Sequence, residues 1–284
     1  MPTMTDDLVS TEWLAARLDA PDVEVVDASW HLPTEKRDAK AEFKAEHIPG
    51  AVFFDIDDIC DTESPLPHML PKAEKFAQRV RRLGLGDGKR IVVYDTQGLF
   101  SAARVWWMFK VFGHRDVAVL DGGFPKWKAE GRPVEDGPPH PRQERHFTAR
   151  YQTMLVKDRD EVLAAMKSGS SQIADARGRG RFTAAEPEPR PGVRGGHIPG
   201  SRNVHYASLL NPDRTMKSRD EIRQAFINAG IDLKQPVITS CGSGVTAAIL
   251  TLGLSIIGHS DNALYDGSWA EWGADTSLPV EVTG

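Results

Sequence analysis

Two cysteines in 284 residues are too few to staple a fold. With only Cys60 and Cys241, neither a disulfide framework nor a thiolate zinc cluster is expected, and a reducing, cytoplasmic setting fits best. No His, Cys and carboxylate grouping has metal-ligand spacing either, so neither a metal nor an organic cofactor is predicted. Positive charge is also short. Lys and Arg total 35 against 40 Asp and Glu, a formal net charge of −5, and no long basic run occurs, so nucleic acid is not an expected partner. No apolar stretch reaches the length of a membrane span. The opening Met1-Pro2-Thr3-Met4-Thr5-Asp6-Asp7 has neither the basic and apolar regions of a secretory signal nor the basic character of a transit peptide. What remains is ordinary: 40% hydrophobic and 26% charged residues, the make-up of a soluble globular protein, long enough for two domains.

The chain repeats itself. Val25-Val26-Asp27-Ala28-Ser29 matches Ile173-Ala174-Asp175-Ala176-Arg177, and His47-Ile48-Pro49-Gly50 matches His197-Ile198-Pro199-Gly200. Further on, Gly113-His114 pairs with Gly258-His259, Leu120-Asp121-Gly122-Gly123 with Tyr265-Asp266-Gly267-Ser268, and Trp127 with Trp272. Two long copies in constant register indicate a duplicated domain rather than a solenoid.

Within each copy, short β-rich runs alternate with helical patterns. The first reads as helix 12–18, strand 23–26, helix 37–46, helix 72–83 with Phe76, Val80 and Leu83 on one face, strand 90–94, helix 101–112 and strand 117–120. The second reads as helix 158–167, strand 172–174, helix 218–229, strand 236–240, helix 247–257 and strand 262–265. Near-continuous apolar strands alternating with helices predict an α/β fold in which each domain is a parallel sheet flanked by helices on both faces. The proline-rich, charged stretch Gly137-Pro138-Pro139-His140-Pro141 begins a linker, which divides the chain into an N-terminal domain over 1–136, a linker over 137–150 and a C-terminal domain over 151–284.

Chemistry concentrates at Cys241-Gly242-Ser243-Gly244-Val245-Thr246, between an apolar strand and a long apolar helix. Glycines let a loop curl so that successive N–H groups point inward, and the helix adds its own N-terminal N–H groups and positive dipole end. Such a bowl favours an anion, so a cysteine at its lip is expected to react as a thiolate. The commoner fate of a lone cysteine is burial as a small apolar side chain, but the flanking glycines and the helix start favour the reactive reading. In the first copy Asp95 stands where Cys241 stands, and its loop, Asp95-Thr96-Gln97-Gly98-Leu99-Phe100-Ser101, is one residue longer. A carboxylate can satisfy a ring of N–H groups but performs no thiol chemistry, so the first domain is expected to be silent at its own loop.

His47 and His197 recur in both copies and are read as holding a turn. Two features have no matching residue types in the other copy. Asp57 and His68 lie in a loop-rich part of the first copy. Arg177, Arg179, Arg181 and Arg190 cluster in a Gly/Pro-rich part of the second, where arginines suit bidentate carboxylate recognition.

On the duplication, the arginine segment and the Cys241 loop, together with Asp27-Ala28-Ser29-Trp30 and Arg104-Val105-Trp106-Trp107, the chain resembles the two-domain rhodanese superfamily over nearly its whole length. Its active loop is similar to that of the 3-mercaptopyruvate sulfurtransferase branch. The thiosulfate-preferring branch typically carries an arginine and a lysine after the cysteine, where Gly242 and Ser243 stand here. The resemblance implies a sulfurtransferase that passes sulfur from 3-mercaptopyruvate through a Cys241 persulfide to a thiol acceptor, such as thioredoxin, or to cyanide. It also implies a proton relay of Ser243, His68 and Asp57, a donor clamp of Arg181 and Arg190, and persulfide-holding N–H groups over Gly242, Gly244, Val245 and Thr246. The alternatives are a thiosulfate sulfurtransferase, a thiol phosphatase, which would need an arginine where the loop ends in Thr246-Ala247-Ala248, and a non-catalytic anion-binding module.

Overall fold

The computed structural model describes residues 7–283; the reading of Met1 to Asp6 as neither signal nor transit peptide lies outside them. Two compact units emerge. Unit 1 gathers the chain up to Thr62, Leu70–Gln152 and the short segment Pro212–Met216. Unit 2 gathers Glu63–Met69, Thr153–Asn211 and the chain from Lys217 onward.

Unit 1 runs β1 (Leu8–Val9), α1 (Thr11–Ala15), β2 (Val23–Asp27), α2 (Ala39–Ala45), β3 (Val52–Phe53), α3 (Ala73–Arg82), β4 (Arg90–Tyr94), α4 (Ala102–Val111), β5 (Val117–Leu120) and α5 (Gly123–Ala129). Its strands form one parallel sheet in the order β1-β5-β4-β2-β3, with Val25 beside Val92 and Val93 beside Val119. Side chains alternate across the sheet. Val92 and Tyr94 join Leu14 of α1, Phe43 of α2 and Phe124 and Trp127 of α5 in one buried cluster. A second cluster stacks Phe54, Phe76 of α3, Phe109 of α4, Phe112 and Phe147. Helices therefore cover both faces, which is why β4 reads as an unbroken apolar run. The stretch 137–150 lies along this unit: Phe147 is fully buried, Arg142 pairs with Glu24, and Thr148 Oγ1 donates to Asp87 at 2.8 Å.

Unit 2 repeats the plan with β6 (Val156–Lys157), α6 (Arg159–Ser168), β7 (Gln172–Asp175), α7 (Arg179–Phe182), β8 (Arg202–Asn203), α8 (Arg219–Asn228), β9 (Val237–Ser240), α9 (Ala247–Ile256), β10 (Asn262–Tyr265) and α10 (Ser268–Trp272). The parallel order β6-β10-β9-β7-β8 is that of unit 1. Helices α6 and α8 begin at capping boxes, Asp158 with Glu161 and Ser218 with Glu221, each closing orphan N–H groups of the first turn. Helix α9 is buried along nearly its whole length, so polar residues on it would have no solvent face. The two-residue strands escape sequence reading because no period can be seen in two residues. Helix α5 starts after Gly122, which caps it in a left-handed conformation at φ +81°.

The paired histidines act as expected. His47 stacks on Phe43 at 4.0 Å and its ring nitrogens meet the Phe43 carbonyl and Glu135 at 2.7 and 2.9 Å. His197 stacks on Phe182 at 3.8 Å, meets the Phe182 carbonyl at 2.9 Å and lies 3.7 Å from Glu281. Each ring fastens a turn to a bridge near the end of its repeat, His47 with Glu135 and His197 with Glu281.

Candidate active site

The loop after β9 stands at the carboxyl end of the unit 2 sheet, where such folds bind ligands. Cys241 is 2% exposed, Ser243 is 7% exposed and Gly244 takes φ +76°. Below them the start of α10 pins the backbone. The Trp269 N–H donates to the Cys241 carbonyl at 2.9 Å, the Ala270 N–H to the Gly242 carbonyl at 2.9 Å, and the Cys241 N–H to Ser268 Oγ at 3.2 Å. Above, the entry to α9 is tight: Ala248 and Ile249 donate to the carbonyls of Val245 and Thr246. The N–H groups of Gly242, Ser243, Val245 and Thr246 have no acceptor among the described residues.

Unit 1 shows what an anion does in this bowl. Asp95 carries the matching carbonyl bond, accepting the Phe124 N–H at 3.0 Å, so it occupies the position of Cys241. Its carboxylate accepts the N–H groups of Gln97, Phe100 and Ala102 at 2.9, 2.7 and 2.9 Å. That loop satisfies itself with its own side chain. Unit 2 presents a sulfur instead.

The arginines divide into three kinds. Arg177 is buried, ion-paired at 2.7 Å with both Asp175 and Glu188, and lies 4.4 Å from the Trp269 ring; it belongs to the scaffold. Arg179 is exposed on α7. Arg181 pairs with Glu188 at 2.5 Å and leans over the loop, so that a Cβ at Gly242 would stand 3.0 Å from its Nη2. Arg190 is half-buried, and its guanidinium makes no hydrogen bond or ion pair among the described residues. Burial and the Arg181 charge pull its pKa below the ordinary arginine value, opposed by Cys241 and Glu188, which places its guanidinium within electrostatic reach of the sulfur.

His68 is 7% exposed, takes φ +60° and belongs to the same compact unit as Cys241 and Ser243. Asp57 belongs to unit 1, where Oδ2 accepts the Trp30 indole N–H at 3.0 Å. The His68 segment does have a counterpart, Pro212–Met216, although their residue types differ. In unit 1 that segment lies on the loop after β4. The Met216 N–H donates to Asp121 at 2.8 Å, a Cβ on Gly98 would strike the Arg214 side chain, and Arg214 takes φ +68°, close to the value at His68.

Sequence reading passed over two residues. Ser268, at φ +49°, donates to the Tyr265 carbonyl at 2.9 Å while accepting the Cys241 N–H; the signal was its mismatch with Gly123 in the other copy. Glu188 was hidden by its arginine neighbours. Among the described residues no three His, Cys, Asp or Glu come together to hold a metal ion, and no helix is long and apolar enough to cross a membrane.

The rhodanese-like domain pattern matches residues 10–130 and again 158–275. The chain belongs to the rhodanese-like family. Over 277 residues it is 44% identical to the human 3-mercaptopyruvate sulfurtransferase, covering 95% of this chain and 93% of the relative. It is equally 44% identical to a thiosulfate sulfurtransferase of Cricetulus griseus, over 93% of this chain and 91% of that one. The crystal structure of SseA from Escherichia coli, described as a 3-mercaptopyruvate sulfotransferase with the rhodanese fold, superposes with a TM-score of 0.86 at 40% identity, covering 93% of this chain and 99% of that one. Most of these relatives are named for 3-mercaptopyruvate, and one named for thiosulfate reaches the same 44% identity.

Proposed function

We propose that this protein is a 3-mercaptopyruvate sulfurtransferase that works through a persulfide on Cys241. The observation that carries the reading is a thiol at the lip of a bowl whose N–H groups lack protein acceptors, beside one half-buried arginine without an ion-pair partner. The Cys241 thiolate attacks the sulfur of mercaptopyruvate. An S–S bond forms, the C–S bond breaks, and its electron pair passes to carbon as the enolate of pyruvate. The proton leaving the donor thiol ends on that carbon, giving pyruvate and a Cys241 persulfide anion. Ser243 handles this proton with His68. The match between the His68 segment and Pro212–Met216, which packs on the equivalent loop of unit 1, supports a place for His68 at the Cys241 loop. The loop N–H groups hold the persulfide until a thiol acceptor such as thioredoxin, or cyanide, removes the outer sulfur and restores Cys241.

Mercaptopyruvate carries its charge on a carboxylate remote from the sulfur. Arg190, with the remaining donors of Arg181, binds that carboxylate and aims the sulfur at Cys241. Thiosulfate is the second reading, favoured only by the relatives that use it. No fixed cation stands among Gly242, Ser243, Gly244, Val245 and Thr246 to meet its second charge. The decisive experiment is intact-mass measurement after mercaptopyruvate treatment. The expected result is a gain of one sulfur that is absent in Cys241→Ser; a gain that survives the substitution sinks the assignment. A higher specific activity with thiosulfate at neutral pH overturns the donor. For Asp57, a fall in turnover on Asp57→Asn matching that of His68→Ala supports its place in the relay.

A further inference from the structure

Glu188 has no role in the chemistry above, yet it is a firmly held carboxylate. Its side chain is 3% exposed and takes hydrogen bonds from Arg177 Nη1 at 2.7 Å and from Arg181 Nε and Nη2 at 3.2 and 2.5 Å. Arg177 is itself fastened to Asp175 by both ends of its fork and to the Gly196 carbonyl at 2.8 Å. The chain Asp175, Arg177, Glu188, Arg181 therefore alternates in sign and sums to zero. Beyond the Cys241 sulfur itself, the loop contributes no charged side chain. Of the three arginines that share this segment with Glu188, the half-buried Arg190 is the one that makes no ion pair among the described residues.

We propose that Glu188 is a specificity-determining residue: by neutralising Arg181 it leaves the donor site with a single positive charge, matched to a donor with one carboxylate and mismatched to a dianion such as thiosulfate. The inference rests on the donor site proposed above. Its physical basis is that a buried charge acts on a bound anion in proportion to the anion's own charge, and in a site of lowered dielectric one unit of charge several ångströms away outweighs thermal energy. Glu188 also fixes where Arg181 lies over Gly242, so the ion-paired fork remains a hydrogen-bond donor while the pair adds no net charge. A duplicated fold with a cysteine loop is thereby tuned for its donor from a carboxylate that never touches it.

The test uses the full chain with cyanide as acceptor and measures kcat and KM separately for mercaptopyruvate and thiosulfate at low and high salt. Glu188→Gln keeps the shape and removes the charge. The ratio of kcat/KM for thiosulfate to that for mercaptopyruvate should rise about tenfold, through a lower KM for thiosulfate, and the gain should shrink with salt. Glu188→Asp, which keeps the charge, should leave the ratio near that of the unsubstituted protein. Equal losses for both donors in Glu188→Gln would reduce Glu188 to a scaffold residue and overturn the proposal. Removing one partner of a buried ion pair can unfold a protein. If thermal unfolding shows this for Glu188→Gln, Arg181→Gln moves the charge the other way. Thiosulfate use must then fall further than mercaptopyruvate use, and an equal or smaller fall overturns the proposal. Failure of the unsubstituted protein to take sulfur from either donor would instead strike the donor-site reading itself.

Discussion

At the scale of single residues, the site separates arginines by what else they touch. Arg177 is consumed by Asp175 and Glu188, while Arg190 is held half out of water with no ion-pair partner among the described residues. A charged group kept in that state is available for an anion from solution. Arg190→Ala is therefore expected to raise the KM for mercaptopyruvate by one to two orders of magnitude, about the worth of a charge-assisted bond, with a smaller change in kcat. His68→Ala should do the reverse, lowering kcat with KM nearly unchanged. Steady-state kinetics on the two variants check both, and a common pattern in both would refute the division into clamp and relay.

At the scale of elements, the two loops differ by the residue beneath them. In unit 1 a Cβ at Gly123 would collide with the Asp95 and Gly98 carbonyls, at 2.6 and 2.7 Å, so only glycine fits. In unit 2 the shorter loop leaves room for Ser268, which takes a left-handed backbone to place its hydroxyl between the Cys241 N–H and the Tyr265 carbonyl. That backbone costs a non-glycine residue about 1–2 kcal/mol. Ser268→Ala keeps this cost and strands two buried backbone groups, so it should destabilise the protein by about 1–3 kcal/mol and lower kcat by loosening the Cys241 backbone. Ser268→Gly sheds the strain and should destabilise less. Denaturant unfolding with parallel kinetics checks the order; an Ala variant as stable and active as the unsubstituted protein would remove Ser268 from the site.

At the scale of the whole molecule, the duplication keeps a sheet and changes its electrostatics. Asp175 meets Arg177, but its counterpart Asp27 has Ser29 in that place. Burial then raises the Asp27 pKa to about 6, eased by the hydrogen bond from the Ser29 N–H and aggravated by Asp95. Burial raises Asp121 to about 6 as well. A carboxyl that holds its proton more tightly when folded than when unfolded favours the fold at low pH. That contribution is full below the unfolded value of about 4 and is lost as pH rises through about 6. Asp27→Asn keeps an acceptor for the Ser29 N–H and carries no charge. It should raise stability at pH 7–8 by on the order of 2 kcal/mol and flatten the decline between pH 4 and 7. Thermal unfolding across that range checks it, and an unchanged pH profile would count against the buried-carboxylate account.

The sequence alone determined the α/β class, the duplication, most helices and strands, the replacement of a cysteine by Asp95 in the first copy's loop and the thiol of Cys241. All of these follow from local periodicity or from comparing one copy with the other at fixed register. Chain order says nothing about which polar groups share a charge. Arg177, Arg181 and Arg190 look alike in a row of residues, and Glu188 looks like a spacer between them. Only the tertiary structure decided that two of the arginines are bound to one buried carboxylate, leaving Arg190 without an ion-pair partner among the described residues. It likewise decided that Ser268 sits under the Cys241 loop. Pairing depends on which side chains the packed strands and loops bring within a few ångströms, and that distance is a property of the fold.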